Sequence, residues 1–450
     1  MEKINMRMKN FHFKRMASVC LMLMLLIIAT GCSGGDGDGT EDNAVPEKTE
    51  VLRSDLSHED SPDVGPDELY ELTEGNSVFA FDLYQALRDR DGNLFYSPYS
   101  ISMALAMAYA GSRNETGQQM KSTCHFTLSR ERLHPAFNAL DIELATRGRT
   151  AEGQDGEGFR MNIANSLWAQ KDYAFQQDFL DTLALNYDAE MRLLDFVRFP
   201  DESRIIINNW VSEKTESKIK DLIPPPLSPD TCLILVNAVY FNAAWEAPFS
   251  VEHTDDKPFY LSDGTSLTVP MMLQKNDFNY GEDKDYQGVE LMYDGGEMSM
   301  VILVPRAREF EEFEKSLDNI RVREILYDFE PKKIILEMPR FTYASESVSL
   351  KDTLGQMGMP AAFSYSAADF SGMDGTLYLF IGDVLHKGFV SVDEKGTEAA
   401  AATAITGPGS GPDASEPLEL TIDRPFIFFI RDIQTHTILF IGRILNPVGV

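Results

Sequence analysis

Few residues in this chain are arranged for catalysis. Ser410 sits in Gly407-Pro408-Gly409-Ser410-Gly411-Pro412. Its glycines flank it directly, whereas a nucleophile elbow reads G-x-S-x-G, with the glycines two residues away. The strings H-E-x-x-H and G-x-x-x-x-G-K-[ST] are absent. The seven histidines show no metal-ligand spacing. Asp36-Gly37-Asp38 lacks the later oxygens and glycine of a calcium loop. No catalytic residue, metal or cofactor is expected, and the chain is not read as an enzyme. The distinctive stretch is Glu394-Lys395-Gly396-Thr397-Glu398, followed by Ala399, Ala400, Ala401, Ala402, Thr403, Ala404 and Ile405 and then the Gly/Pro-rich run.

The elements around that stretch make it unusual. Strand-like runs lie at 377–392 and 418–430. A connection of about 25 residues inside a compact domain is uncommon, and such loops are functional or disordered. Alanine favours helix and is a poor strand former, so composition alone reads as a linker or short helix. Helical patterns cover 69–90, 101–109 and 205–218, and strand-like runs cover 232–241, 298–304, 333–338 and 427–441. Elements segregated in this way suggest an α+β domain with largely antiparallel sheets.

Composition narrows the function classes. The 450 residues are 43% hydrophobic and 25% charged, as in a globular protein and unlike a disordered one. With Lys+Arg 40 against Asp+Glu 71, the formal net charge is −31. That argues against a nucleic-acid partner, because such binding draws on basic residues. Four cysteines exclude a disulfide scaffold. Cys124 and Cys232 are open to either free thiols or a bridge.

The N-terminus reads as an address. Residues 1–15 carry Lys3, Arg7, Lys9, Lys14 and Arg15, and 17–30 is uncharged. This run is short for a bilayer span, which needs roughly 20 apolar residues, but it suits a signal-peptide core. It ends Ala29-Thr30-Gly31-Cys32, which resembles a bacterial lipoprotein processing site. The expectation is a signal peptide over 1–31, lipidation at Cys32 and an acidic flexible tether over 32–66. Anchoring would be to a bacterial membrane, at the outer membrane or cell surface. Residues 33–65 hold many acids, several glycines and few large apolar side chains, so they cannot bury a core.

From 67 to 450 the chain resembles the serpins, the serine protease inhibitor fold. Asn93-Leu94-Phe95-Tyr96-Ser97-Pro98-Tyr99-Ser100-Ile101 looks like the start of the family's second helix. Leu235-Val236-Asn237-Ala238-Val239-Tyr240-Phe241 with Trp245 looks like a central strand and its end. Glu394 to Ala400, preceded by His386, looks like the reactive-loop hinge, and Asp423-Arg424-Pro425-Phe426-Ile427-Phe428 like the C-terminal signature.

The resemblance implies three β-sheets, about nine helices and an exposed reactive loop. It also implies suicide inhibition. A target protease, serine-type or cysteine-type, attacks the loop and forms an acyl-enzyme. The cut loop then inserts into the main sheet and the protease is trapped. A non-inhibitory binding or surface role is the alternative. The family's hinge spacing places the reactive bond at Ser410–Gly411, with Ile405, Thr406 and Gly409 as alternatives. No Arg, Lys or aromatic residue lies there, which favours a protease with a small primary pocket. The hinge comprises Glu394, Gly396, Thr397, Glu398 and Ala399 to Ala402. Ser97, Ser100, Asn237, His386 and Trp245 match the region that controls sheet opening. A monomer is expected. Side chains alternate along a strand, so Thr397, Ala399, Ala401, Thr403 and Ile405 would share the inward face.

Overall fold

The computed structural model describes residues 49–148, 160–306, 309–397 and 416–448. The expected sites Cys32, Glu398, Ala399, Ala400, Ala401, Ala402, Ser410 and Gly411 lie outside the described residues.

The element that organises the molecule is the strand Leu233–Ala244, in which every residue is buried. A strand covered on both faces reads as a continuous apolar run, as Leu233 to Val236 and Ala238 to Phe241 do. On one face lies helix Pro98–Gly111, whose residues are almost all buried and which packs against both sheets. On the other, Ile207 and Val211 of helix Pro200–Lys214 pack with Trp168, Ile234 and Val236.

The first sheet runs in the order Glu50–Leu52, Met191–Leu194, Arg160–Gln170, Leu233–Ala244, Gly396–Thr397, Ile381–Asp393 and Phe341–Ala344, with Val348–Ser349 also on Ile381–Asp393. Arg160–Gln170 is antiparallel to Leu233–Ala244, whereas Ile381–Asp393 is parallel to it. The second sheet has nine strands. Its strand Ser266–Glu282 is long enough to pair with Asp255–Tyr260, Glu330–Pro339 and Tyr286–Met292. That strand makes two of the expected sheets continuous. Ten α-helices occur among the described residues, in an α+β fold.

Two local expectations need correction. The run 427–441 is two strands, Phe426–Asp432 and Ile438–Ile444, joined by a turn. Asp432 caps that turn by accepting hydrogen bonds from the Thr435 amide and hydroxyl at 2.7 Å, and His436 takes the left-handed conformation at φ 59°. The second correction concerns the tether. Residues 50–65 are docked on the domain, and helix Pro66–Leu87 begins at Pro66. Glu50–Leu52 pairs with Met191–Leu193, and Arg53 contacts Glu190 at 2.5 Å. Asn138 donates to the Glu59 carbonyl at 2.7 Å, and Arg132 to that of Asp63 at 2.5 Å. Backbone pairing and side-chain donors from the body hold this segment, so it needs no apolar core of its own.

Candidate functional site

The candidate site is the boundary between the two central strands of the first sheet. Leu233 to Tyr240 pairs in parallel with Ile381 to Phe389, and this stretch forms a closed seam. Further along, the short strand Gly396–Thr397 lies between the same two strands as a wedge. Gly396 and Thr397 pair antiparallel with Ala244 and Ala243 on one side, and with Asp393 and Val392 on the other.

Gly396 is required at this position twice over. Its φ is +156°, and a Cβ there would meet the Ala243 carbonyl oxygen at 2.1 Å. The turn leading into it is fixed by Asp393, whose carboxylate accepts from the amides of Lys395 at 2.8 Å and Gly396 at 3.3 Å. Burial raises the Asp393 carboxyl above its ordinary range. The following Thr397 is fully buried, and its hydroxyl is 2.9 Å from the Tyr293 hydroxyl. It therefore shares the inward face expected from alternation.

Trp245 anchors the wedge from above. Its indole donates to the Asp393 carbonyl at 3.0 Å, and its amide to the Lys395 carbonyl at 2.8 Å. Its ring stacks on Tyr293 with centroids 4.7 Å apart. Glu394 is 4% exposed. Its carboxylate accepts from the Thr254 hydroxyl at 2.8 Å and faces Arg340 at 3.5 Å. Its carbonyl accepts from the Phe249 amide at 2.7 Å. Glu394 is thus a buried tie for the hinge through Thr254 and Arg340, while Tyr293 meets Thr397 and Trp245, and none of these three partners was foreseen. They come from distant parts of the chain and carry no local signal.

A second cluster lies under the seam. Asn165, Asn237 and His386 sit at one level on three adjacent strands, by the registers Asn165↔Asn237 and His386↔Asn237. Ser97 caps helix Pro98–Gly111, its hydroxyl accepting from the Ser100 amide at 3.2 Å. The Ser100 hydroxyl donates to Asn165 Oδ1 at 3.0 Å, and Asn165 Nδ2 returns a bond to the Ser100 carbonyl at 3.1 Å. Asn237 Nδ2 donates to Ser100 Oγ and Asn165 Oδ1. His386 Nδ1 bonds Asn237 Oδ1 across the seam, and the Ser97 amide donates to His386 Nε2 at 3.4 Å.

This pattern fixes the tautomer. Nε2 accepts, so Nδ1 carries the proton and the imidazole is neutral. Burial lowers its pKa to about 3. A histidine with its acceptor nitrogen occupied by an amide proton is no general base. The four polar residues expected here are brought together, and Asn165 joins them. Its signal was a buried-strand asparagine in Ile163-Ala164-Asn165-Ser166-Leu167.

Cys124 and Cys232 are free thiols, the first buried and the second partly so. Among the described residues no group of three His, Cys, Asp or Glu side chains could hold a metal ion.

The family model described as "Serpin (serine protease inhibitor)" matches residues 74–447. An uncharacterized serpin-like protein of Thermococcus kodakarensis is 37% identical over 96% of this chain and 99% of its own. Mouse leukocyte elastase inhibitor A is 39% identical over 84% of this chain and all of its own. Among solved structures, the thermophilic serpin tengpin in its native state superposes with a TM-score of 0.75 at 27% identity, covering 88% of this chain and 97% of that one. Human thyroxine-binding globulin complexed with its hormone gives 0.75 at 27% identity, covering 85% and 100%.

Proposed function

The chain belongs to the serpin family, whose members act on target proteases, and on that premise we propose that it is a suicide inhibitor that traps its target as an acyl-enzyme. The carrying observation is the wedge. Two residues of the hinge already lie antiparallel between strands that are otherwise paired in parallel. Continued insertion would exchange one parallel ladder for two antiparallel ladders, the more stable pairing per residue.

The driving force can be bounded. An inserted strand of ten residues would form about 20 ladder bonds and displace about eight, for a net gain on the order of 10 kcal/mol at roughly 1 kcal/mol each. That is enough to make trapping one-way. The small side chains from Ala399 to Ala402 impose little desolvation cost on entry.

The target is a serine protease with a small primary pocket, cut at Ser410–Gly411. The absence of Arg, Lys or aromatic residues near this bond supports that choice, as does the elastase inhibitor among the relatives. A cysteine protease is a second class of target. We further propose that residues 1–31 are removed and that Cys32 is lipidated, holding a monomeric inhibitor on a bacterial outer membrane or cell surface. Cys32→Ser should then release the protein from membranes, and unchanged retention would refute the anchor.

Incubation with elastase-like and subtilisin-like proteases tests the main proposal. An SDS-stable complex cleaved between Ile405 and Gly411 is the expected result. Cleavage that leaves active protease and no complex would point to the non-inhibitory alternative.

A further inference from the structure

The register of the wedge fixes where a fully inserted loop would end. Thr397 pairs with Ala243 on one strand and with Val392 on the other. Thirteen residues further along the loop is Ser410, and thirteen back along each strand are Asp230 and Leu379. The extra residue at 381–383 in the second strand moves that neighbour to Tyr378. These positions lie just beyond the strand starts at Leu233 and Ile381. A loop cut at Ser410–Gly411 therefore carries its acyl carbonyl out of the far end of the sheet, opposite the end where the wedge enters.

That end of the sheet carries an exposed apolar patch. Tyr365, Leu377 and Tyr378 are 63%, 61% and 60% exposed. Phe380, partly buried, packs edge-on against Tyr365 with ring centroids 6.0 Å apart. Tyr173 lies near Tyr365, and its hydroxyl is 3.8 Å from the Sγ of Cys232, two residues from Asp230. Single exposed apolar residues are ordinary, but a group of them gathered at one place marks an interaction surface. The exposure is built in. The Asp374 carboxylate accepts from the Thr376 amide at 2.8 Å and from its hydroxyl at 2.7 Å, and the Tyr378 amide donates to the Thr376 hydroxyl oxygen at 3.3 Å. Gly375 turns the chain at φ 81°. The Gln176 amide donates to the Met373 carbonyl at 2.7 Å and ties the segment to the body.

We propose that Tyr365, Leu377 and Tyr378 form the surface on which the acyl-linked protease docks once the loop has inserted, an inference that rests on the inhibitory reading. The ester joins Ser410 to the protease's own nucleophile, so the protease meets this pole with the rim of its active-site cleft. Such clefts are lined predominantly by apolar side chains, which match the patch. Docking buries both apolar surfaces and keeps water from the ester. Water that reached the Ser410 carbonyl would break the ester, leave Ser410 as a carboxylate and return a proton to the protease's nucleophile. The patch thus sets how long the trap lasts, not whether it forms.

Complexes with an elastase-like protease, purified and diluted into chromogenic substrate, test this through the rate at which protease activity returns. Leu377→Ser combined with Tyr378→Ser, and separately Tyr365→Ser, should speed that return at least tenfold. The moles of inhibitor consumed per mole of protease should stay as in wild type. Tyr327→Ser, at a still more exposed aromatic position on helix Asn319–Tyr327, should leave the rate unchanged. The loop-cleaved variants, free of protease, should unfold at the wild-type temperature. Failure of the wild type to form any complex would overturn the inhibitory reading and this surface with it. A wild-type complex that its patch variants match in lifetime would overturn the surface alone. So would a lowered midpoint in the cleaved variants, which would assign these residues to the sheet. A dimer of intact chains in sedimentation that the substitutions abolish would assign the patch to a second copy and overturn it as well.

Discussion

His386 and Asn237 stand opposite each other on the two central strands, and the imidazole Nδ1 proton is donated to the Asn237 side-chain oxygen across the seam. Any strand entering the sheet must pass between them and break this bond. Neutral His386 is therefore part of the latch that keeps the sheet closed.

That neutrality predicts a pH dependence. Burial holds His386 near a pKa of about 3, and His134 likewise, against about 6.5 when unfolded. Between those values the unfolded chain binds more protons, so stability falls as pH drops from about 6.5 towards 3. At pH 5 each histidine should cost about 2 kcal/mol relative to pH 8. Urea unfolding of wild type and His386→Gln at both pH values checks this. The variant should lose about 2 kcal/mol of the difference. An identical pH dependence would show that the latch does not titrate in this way.

The register of the wedge carries a second prediction. Thr397 pairs with both Ala243 and Val392. Six further residues along the loop, matched by six back along each strand, would bring Thr403 between Asn237 and His386. Its hydroxyl would replace the broken latch bond. Thr403→Val should leave the uncut protein unchanged and destabilise the loop-cleaved form by about 1–3 kcal/mol, the cost of buried groups left unpaired. Thermal scans of both forms would detect this, and equal midpoints for variant and wild type after cleavage would place another residue there.

Gly396→Ala should expel the wedge. The added methyl carbon would lie 2.1 Å from the Ala243 carbonyl oxygen in a backbone conformation disfavoured for alanine. Thr397 would leave Tyr293, and insertion would start later. Cleavage should proceed at the normal rate, but several moles of inhibitor should be consumed per mole of protease. Unchanged stoichiometry would show that the wedge does not initiate insertion.

Hinge charge separates the two strand faces. Ala401→Glu would carry a carboxylate inward on insertion, at a cost of several kcal/mol. Ala400→Glu would keep its charge near solvent. The first should convert inhibitor to substrate and the second should change little. Equal loss of trapping in a protease titration would mean that the alternation is assigned to the wrong face.

Much of this arrangement was legible in the sequence because it rests on short strings. Ser97-Pro98 marks a helix start, and Asn237 stands out within an apolar strand. Glu394 to Thr397 pairs a glycine with acidic ties. The missed parts depend on pairing between distant segments. Glu50–Leu52 is a three-residue strand in an acidic stretch, and only its partner Met191–Leu193 makes it visible. Tyr293 meets Thr397 through a fold-dependent approach that neither neighbourhood encodes. The hairpin at Asp432 was hidden because apolar residues continue on both sides of its turn.

The central claim is that the cut loop becomes a strand of the first sheet, and thermal unfolding of the chain before and after a single cut in the loop tests it most directly. An inserted strand adding on the order of 10 kcal/mol should raise the midpoint by at least about 10 °C, and Thr397→Arg should abolish most of that rise. A cleaved protein that unfolds at the temperature of the intact one would contradict insertion, and with it the proposed trap.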